Sequence, residues 1–316
     1  MSAPPPAPPE PPAGTEYRLL DCGHGRRLER FGPVVLDRPA PEATAPRRDG
    51  IGLWRAADGR FDRTEALTGV WTWAGRRIDG PPDPWRVRIG PVAFGLRVND
   101  YGHVGLFPEH ATLWPWATEQ VAALRSRAVE TAGPPVRPRV LNLFAYTGGM
   151  TLALAAAGAE VTHVDAAQAV VSAARHNAAL SGLADAPIRW LTEDAARYVA
   201  RELRRGRTYD GVILDPPTFG RGPGGETWKL DRDLPGLLAG CVSLLAGPGA
   251  FLLLTCHTPE WPASRLADLL EDALAVGGRA GRRRGGGPVE AGPITLAADS
   301  GATLPAGQFA FATAPR

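Results

Sequence analysis

The stretch Val140-Leu141-Asn142-Leu143-Phe144-Ala145-Tyr146-Thr147-Gly148-Gly149 decides the fold of this 316-residue chain. Its apolar first half predicts a short buried strand, and the small residues that follow predict a tight loop leading into a helix. Such a turn directs backbone N–H groups into a crevice at the carboxyl end of a parallel strand, where α/β sheets bind nucleotide-like ligands. The stretch therefore predicts an α/β domain with a binding site at this loop.

Carboxylates follow the next strands along the chain. A second predicted strand ends at Asp165, Asp194 follows the third, and Asp215 ends the fourth. A carboxylate at the second strand end can accept hydrogen bonds from both hydroxyls of a ribose. The loop offers only the adjacent glycines 148 and 149, whereas a dinucleotide fold needs G-x-G-x-x-G for its pyrophosphate. The pattern favours a neutral or cationic nucleoside over a dinucleotide.

Strands and helices alternate through most of the chain's second half, which predicts a parallel sheet with crossover helices on both faces. We expect strands at 140–144, 160–165, 188–191, 211–214 and 251–254, and helices at 113–130, 150–157, 168–181, 195–205, 234–245 and 264–275. Residues 293–297 and 308–312 should add an antiparallel edge hairpin. This gives an α/β, Rossmann-like domain over residues 111–316.

Residues 15–110 contain short apolar or aromatic pieces separated by glycine, which predicts a small β-rich N-terminal domain. The expected strands are 17–20, 34–36, 70–73, 86–89, 93–98 and 103–107. The tryptophans of this region, Trp54, Trp71, Trp73 and Trp85, are assigned to its core and sheet faces rather than to base stacking. Residues 1–14 are rich in Pro and Ala, without a basic start or an apolar core, and are expected to be a disordered tail and not a signal peptide.

Composition narrows the functional classes. A net charge of +2 and a pI near 8.6 indicate no strong field for a polyanion. The three cysteines lack metal-binding spacing, so no metal is expected and a reducing cytoplasm is the predicted compartment. No apolar run reaches membrane-spanning length, so no membrane partner is expected. The oligomeric state is not predicted by any of these features.

The run Leu141 to Gly149, Asp165, and the segment Asp215-Pro216-Pro217-Thr218-Phe219 together resemble the S-adenosylmethionine-dependent methyltransferases of the large-subunit ribosomal RNA type. That family includes cytosine-C5 and guanine-N7 methyltransferases, and the similarity covers roughly residues 106–275. The resemblance implies a seven-stranded methyltransferase sheet, S-adenosyl-L-methionine as cofactor, and RNA, in particular ribosomal RNA, as partner.

The resemblance also assigns cofactor contacts. The methionine moiety would be held by Tyr146, Thr147, Gly148 and Gly149, the ribose by Asp165, and the adenine by Asp194 with the backbone of Ala195. The alternative for both carboxylates is a helix N-cap, because each precedes a helix. Glu109 and His110 lie where relatives have a segment over the cofactor. The alternative for these two residues is a turn that begins a domain-joining helix.

The Asp215 to Phe219 segment is the predicted acceptor site. Asp215 and the Pro216 carbonyl would hold an amine, with Pro217 completing a rigid backbone turn that needs no reorganisation. Phe219 would stack on a base, and Lys229, the only lysine of the chain, would bind a phosphate or a carboxylate. The alternatives are a structural turn after a strand and a lysine without a specific role.

Cys256 follows the fifth predicted strand, where cytosine-C5 relatives place a nucleophilic cysteine. Cytosine C5 methylation requires a thiolate to add to C6, and the neighbouring His257 could lower the pKa of that thiol. Free cysteine is also common in protein cores, so a packing role is equally open.

These observations predict an enzyme that methylates a nucleic-acid base, in ribosomal RNA, at cytosine C5 or at a ring or exocyclic nitrogen. Two alternatives remain open: a methyltransferase for a protein side chain or small molecule, and a non-catalytic nucleoside-binding protein.

Overall fold

The computed structural model describes residues 16–64, 68–74, 80–130, 137–222, 224–276 and 287–314, so the predicted tail at 1–14 lies outside the described residues. The chain divides into two compact units. One is Met1–Pro108 with Leu296–Leu304, and the other is Glu109–Thr295 with Pro305–Arg316. The sequence-based division placed all of 111–316 in one domain, whereas residues 296–304 belong with the first unit. No helix in the described ranges is both long enough and apolar enough to cross a lipid bilayer.

The N-terminal unit is built on a five-stranded sheet, as the β-rich prediction expected. Its strands, in spatial order, are β1 (Tyr17–Gly23), β2 (Arg26–Phe31), β3 (Val34–Pro39), β4 (Gly59–Arg63) and β5 (Gly69–Trp73). β3 and β4 run parallel, and the other neighbours are antiparallel. A short helix, α1 (Ile51–Arg55), precedes β4, and β6 (Arg86–Ile89) forms a separate hairpin with β7 (Val92–Gly95).

Buried charges explain why β2 was not predicted. Glu29 is fully buried and Arg38 is 2% exposed. Arg38 donates from Nε to Glu29 Oε2 at 2.8 Å and from Nη1 to the Gly102 carbonyl at 3.0 Å. Charged residues are usually exposed, so the sequence gives no sign that these two lie inside the unit. Their burial is tolerated because they are paired and hydrogen-bonded.

The structure bears out some, but not all, of the predictions for the tryptophans and strands of the N-terminal unit. The core assignment is confirmed for Trp54 and Trp85, which are 5% and 3% exposed. Trp71 and Trp73 are only half-buried, and their near-parallel rings lie 5.6 Å apart on β5. The strand predicted at 103–107 was wrong: this segment is irregular, and its apolar residues are buried as a loop.

The second unit begins with a 3-10 helix, Pro108–Leu113, and contains a seven-stranded sheet. Its strands are β8 (Arg139–Leu143), β9 (Glu160–Asp165), β10 (Ile188–Thr192), β11 (Gly211–Leu214), β14 (Phe251–Cys256), β15 (Glu290–Ala297) and β16 (Thr303–Thr313). The spatial order is β10-β9-β8-β11-β14-β16-β15, with the first five strands parallel and β16 antiparallel to β14. This is the predicted Rossmann-like methyltransferase sheet.

Helices connect these strands as the alternating pattern predicted. They are α2 (Trp114–Glu130), α3 (Gly149–Ala156), α4 (Gln168–Leu180), α5 (Ala195–Arg204), α6 (Leu230–Ser243) and α7 (Ala263–Val276). A small hairpin of β12 (Phe219–Arg221) and β13 (Thr227–Lys229) precedes α6. Helix α6 starts four residues before its predicted start, because Asp233 reaches back to accept the Lys229 backbone N–H at 2.7 Å and so stabilises the first turn.

The register of the central strands brings several site residues to one edge of the sheet. Leu143 lies opposite Val164 of β9 and opposite Leu214 of β11, and Leu214 lies opposite Leu254 of β14. These four residues are fully buried, as expected for parallel strands covered on both faces. The next residue of each strand therefore emerges at the same carboxyl edge, which positions the candidate site.

Candidate functional site

The loop after β8 has an unusual backbone. Phe144 and Tyr146 have φ angles of 53° and 49°, and Gly148 has a φ of 89°. A Cβ added at Gly148 would also lie 3.1 Å from the Ala174 Cβ, so glycine suits this position for both reasons. Non-glycine residues with positive φ cost free energy and cluster at ligand sites, so this geometry supports the predicted binding loop.

Hydrogen bonds hold this loop in place. Asn177 Nδ2 donates to the Thr147 carbonyl at 2.9 Å, and the Gly148 N–H donates to the Ala145 carbonyl at 3.1 Å. Helix α3 then begins without a side-chain cap at its N-cap, Gly148. The first backbone N–H groups of a helix have no intrahelical partner, so this end can bind an anionic group such as a carboxylate.

Asp165 connects the second strand end to this loop. Its Oδ2 accepts the Tyr146 backbone N–H at 2.9 Å, and its Oδ1 accepts the Ala167 N–H at 3.0 Å. Burial raises the pKa of Asp165, and these two hydrogen bonds partly offset that effect. Asp165 is not the N-cap of α4, since that residue is Ala167. Each carboxylate oxygen retains lone pairs for ribose hydroxyls.

Asp194 does take the N-cap position of α5, where its Oδ1 accepts the Arg197 backbone N–H at 2.9 Å. The capping alternative is therefore confirmed for this residue. Capping occupies one oxygen only, so contact with an adenine remains a prediction. Ala195 is the buried first residue of the helix. Asp194 comes two residues after Thr192, and Thr192 lies opposite Asp165 in the sheet.

These groups fit the cofactor that the resemblance implies. A carboxylate at a strand end suits a ribose, and an uncapped helix start suits the carboxylate of an amino acid. Gly148, in the left-handed region, leaves the loop without a side chain at that position. S-adenosyl-L-methionine contains both a ribose and an amino-acid carboxylate, together with a cationic sulfur.

Asp215 lies at the end of β11, surrounded by polar groups. Its Oδ1 accepts the Thr255 hydroxyl at 2.6 Å and lies 3.3 Å from His257 Nε2, while its Oδ2 lies 3.4 Å from His110 Nε2. Burial alone would raise the pKa of Asp215, but the attraction of the two histidines and the hydrogen bonds outweigh it and lower that pKa. Asp215 is therefore a stable carboxylate.

The two histidines also contact each other. Their Nε2 atoms are 2.8 Å apart, and His257 Nδ1 donates to the Ala306 carbonyl at 2.7 Å. Burial lowers the pKa of His110, and attraction to Asp215 does not reverse this. Burial would also lower the pKa of His257, but Asp215, Glu109 and the Ala306 carbonyl raise it to about 9. The expected contact of His110 with the methionine end of the cofactor remains a prediction.

The diproline segment is fixed by its neighbours. Trp228 Nε1 donates to the Pro217 carbonyl at 2.7 Å, and the Leu230 N–H donates to the Thr218 carbonyl at 3.1 Å. The Trp228 ring also packs on Phe144, with centroids 5.1 Å apart. Trp228 thus connects the predicted acceptor segment to the predicted cofactor loop. Pro216 is buried, directly after Asp215.

The hairpin brings Phe219 and Lys229 together, since they are register partners on β12 and β13. Phe219 is 70% exposed, and Lys229 is exposed. Arg221 is exposed two residues after Phe219, so it shares the same face, while Trp228 is buried on the other face. We call Phe219, Arg221 and Lys229 the hairpin face: an exposed aromatic ring with two cations.

Cys256 is fully buried in the core of the second unit. Burial raises the pKa of its thiol. His257 does not activate it, because the imidazole contacts Asp215, His110 and the Ala306 carbonyl instead. This geometry favours the packing role, while the role of nucleophile remains a prediction.

Sequence reasoning assigned no individual role to Thr255, Trp228 or Arg221, and it did not predict the direct contact between His110 and His257. Thr255 and His257 flank Cys256 in a segment that the sequence did single out, so strand-end position was the available signal. The pairing of His110 with His257 has no sequence signal, because 147 residues separate them.

Comparisons with known proteins agree with this geometry. A family model described as S-adenosylmethionine-dependent methyltransferase matches residues 84–273. The crystal structure of the SAM-dependent methyltransferase from Agrobacterium tumefaciens is 33% identical, with a TM-score of 0.83 over 98% of this chain and 96% of that one. A proposed SAM-dependent methyltransferase from Streptococcus mutans shares the fold, with a TM-score of 0.69 at 15% identity over 95% of this chain and 75% of that one.

Among curated proteins, ribosomal RNA large subunit methyltransferase K/L of Hahella chejuensis is 32% identical over 166 residues, which is 52% of this chain and 20% of that protein. Ribosomal RNA large subunit methyltransferase K of Neisseria meningitidis is 29% identical over 49% of this chain and 41% of that protein. The chain thus spans a fifth to two fifths of the length of these relatives. The family model and the Agrobacterium structure together show that this chain belongs to the S-adenosylmethionine-dependent methyltransferases.

Proposed function

We propose that this enzyme methylates a base of RNA, with ribosomal RNA as the substrate class. The observation that carries the proposal is the hairpin face, which begins at Phe219, two residues after Pro217. Exposed aromatic rings stack on bases, and neighbouring cations contact the phosphate backbone. The hairpin face would hold RNA close to the acceptor segment, while the opposite face of the hairpin, through Trp228, contacts Pro217 and Phe144 of the cofactor loop.

The curated relatives support the same acceptor class, because their names specify ribosomal RNA. The matched segment is only part of each relative, and the hairpin face of this chain supports the same acceptor class independently. A base within a duplex cannot reach such a pocket and must be presented single-stranded or flipped out of the helix.

The mechanism follows from how the chain positions its groups. Bound S-adenosyl-L-methionine supplies a methyl group on a positively charged sulfur, which is a good leaving group. Tyr146, Thr147, Gly148 and Gly149 would orient the methionine part, Asp165 the ribose, and Asp194 with Ala195 the adenine. The Pro216 carbonyl, fixed by the turn that Trp228 anchors, would accept a hydrogen bond from an N–H of the base. Positioning of this kind can supply much of the rate enhancement.

Nitrogen is the better-supported target atom. Methylation of cytosine C5 needs a thiolate that adds to the ring, and the Cys256 thiol is fully buried with a raised pKa. Methylation of a ring or exocyclic nitrogen needs no nucleophile from the protein. The C5 reaction would require Cys256 to become exposed when RNA binds.

The test uses purified enzyme, tritiated cofactor and deproteinised RNA from a strain that lacks the gene. We expect tritium incorporation into that RNA and not into RNA from the parent strain, where the site is already methylated. Nucleoside mass spectrometry then identifies the atom. Phe219→Ala should reduce incorporation while cofactor affinity stays unchanged. Labelling of protein or small molecules instead of RNA would refute the RNA proposal and favour another acceptor class.

A further inference from the structure

The contact between His110 and His257 has a specific geometry. Their rings are nearly coplanar, with an interplanar angle of 10°, and their centroids are 5.0 Å apart while the Nε2 atoms are 2.8 Å apart. The distance between the two ring centroids is greater than the distance between the two Nε2 atoms by nearly twice the distance from an imidazole centre to one of its ring atoms. Each Nε2 therefore lies near the line between the ring centres and points at the other. Two lone pairs cannot face each other at this distance, so one proton lies between them.

This geometry distinguishes a shared proton from a bound metal ion. The donor atoms of His110, Asp215 and His257 all lie within 4.8 Å of one another, a spacing that a metal site also has. An ion bound to both imidazoles would have to lie off the line that joins the two nitrogens, while each ring points along it. The orientation of the rings fits a hydrogen bond better than two bonds to one ion.

The groups around His257 determine which of its ring nitrogens carry hydrogen. Its Nδ1 must carry hydrogen, because the Ala306 carbonyl can only accept. A Cβ at Gly307 would lie 2.7 Å from that Nδ1, so glycine leaves room for the contact. If the proton between the two Nε2 atoms also resides on His257, that imidazole is a cation, and His110 keeps its own hydrogen on Nδ1, so the pair carries three ring protons and one positive charge. Asp215, at 3.3 Å, and Glu109 are the carboxylates that face the pair, and both favour the cation.

We propose that His110 and His257 share one proton as a singly charged pair that offsets Asp215, and that this charge sets how strongly the pocket prefers the cationic methyl donor over its neutral product. Asp215 follows Leu214, which lies opposite Leu143, so the carboxylate emerges beside the start of the cofactor loop. With the pair charged, Asp215 exerts little net attraction on the sulfonium. With the pair neutral, the carboxylate is uncompensated and attracts it.

The raised pKa of His257, about 9, agrees with a charged pair at neutral pH. Loss of the shared charge above that pH should favour the donor over the product. This role depends on the cofactor and not on the identity of the acceptor, so it can be tested whether or not the RNA proposal is correct. Methylation assays are not needed.

The test measures dissociation constants for S-adenosylmethionine and S-adenosylhomocysteine by calorimetry between pH 7 and 9.5. In the wild type, the ratio of product to donor dissociation constants should rise with pH as the pair loses its positive charge, which leaves a neutral pair that still has one proton between the two Nε2 atoms. The double variant His110→Gln/His257→Gln should show at pH 7 a ratio raised on the order of threefold to tenfold, as expected for one nearby charge in a partly solvated site. It should then show no further rise with pH. Either single variant leaves one imidazole beside Asp215, so the double variant is decisive.

The matched control is His176→Gln, an exposed histidine of α4, which should behave as the wild type does. The wild-type pH series requires no variant, so a folding defect in the double variant does not remove the test. A ratio that is constant with pH in the wild type would overturn the proposal. Stoichiometric Zn²⁺ binding that the double variant loses would also overturn it, because the pair would then hold a metal ion and not a proton.

Discussion

Replacing Asp165 with asparagine tests the link between the cofactor loop and the ribose. The carboxylate accepts two backbone N–H groups, at 2.9 Å from Tyr146 and 3.0 Å from Ala167. An asparagine amide has one acceptor oxygen, so its NH₂ group must face one of these donors. A hydrogen bond to a charged group contributes about 1.5 to 3 kcal/mol. We therefore expect cofactor affinity to fall by about 10- to 100-fold.

The assay is calorimetry with S-adenosylmethionine and with an analogue that lacks both ribose hydroxyls. If Asp165 binds the hydroxyls, the wild type should discriminate strongly against the analogue, and Asp165→Asn should discriminate much less. Asp185→Asn, an exposed carboxylate beyond α4, serves as the control. Equal affinity of wild type and Asp165→Asn for S-adenosylmethionine would refute the placement. A loss of affinity that is equal for both ligands would restrict Asp165 to ordering the loop.

Further predictions concern the acceptor side and the core. Phe219→Ala should weaken RNA binding by about 1 to 3 kcal/mol without altering thermal stability, because the ring is 70% exposed; gel-shift titration and calorimetry check this. Cys256→Ala should lower the free energy of unfolding by about 1 kcal/mol, because a buried side chain is shortened, but nitrogen methylation should continue. If mass spectrometry shows that all methylated product is lost, Cys256 acts as the nucleophile. Trp228→Phe should lower turnover more than cofactor affinity, since it removes the hydrogen bond to the Pro217 carbonyl; steady-state kinetics would show equal effects if this bond were unimportant. The pKa of His257 is raised to about 9 in the folded protein, so its contribution to stability is complete below about pH 6.5 and is lost as pH rises through 9. Melting temperatures should therefore fall between pH 7 and 10 more in the wild type than in His257→Gln.

The α/β sheet was predictable because its strands are buried on both faces. Phe251–Leu254 is a continuous apolar segment, Val140–Leu143 is apolar except for Asn142, and the intervening helices have ordinary lengths. The N-terminal unit was less predictable. Its β2 consists mainly of charged residues whose partners lie on other strands, and a paired buried charge cannot be distinguished from an exposed one in a sequence.

The candidate site shows the same limit. The strand ends predicted that Asp165 and Asp215 emerge at one edge of the sheet, because parallel strands share a carboxyl edge, and the register places them there. The sequence did not show that Asp215 faces two histidines, because side-chain direction at a strand end depends on the loop that follows. For Cys256, position along the strand fixed its neighbours but not the face of the sheet on which its sulfur lies.

The hairpin tip at Leu296–Leu304 has a consequence for folding order. Its apolar residues share a small core with β1 and with the segment after β3, around Leu19, Cys22, Ala40 and Ala43. The Asp299 and Ser300 backbone N–H groups also donate to carbonyls of β1. A ribosome makes β1 and the segment after β3 more than 250 residues before the tip that completes their packing. Strand β1 can therefore complete its packing only after the tip has been made, and a fragment ending at Pro108 should expose an apolar surface.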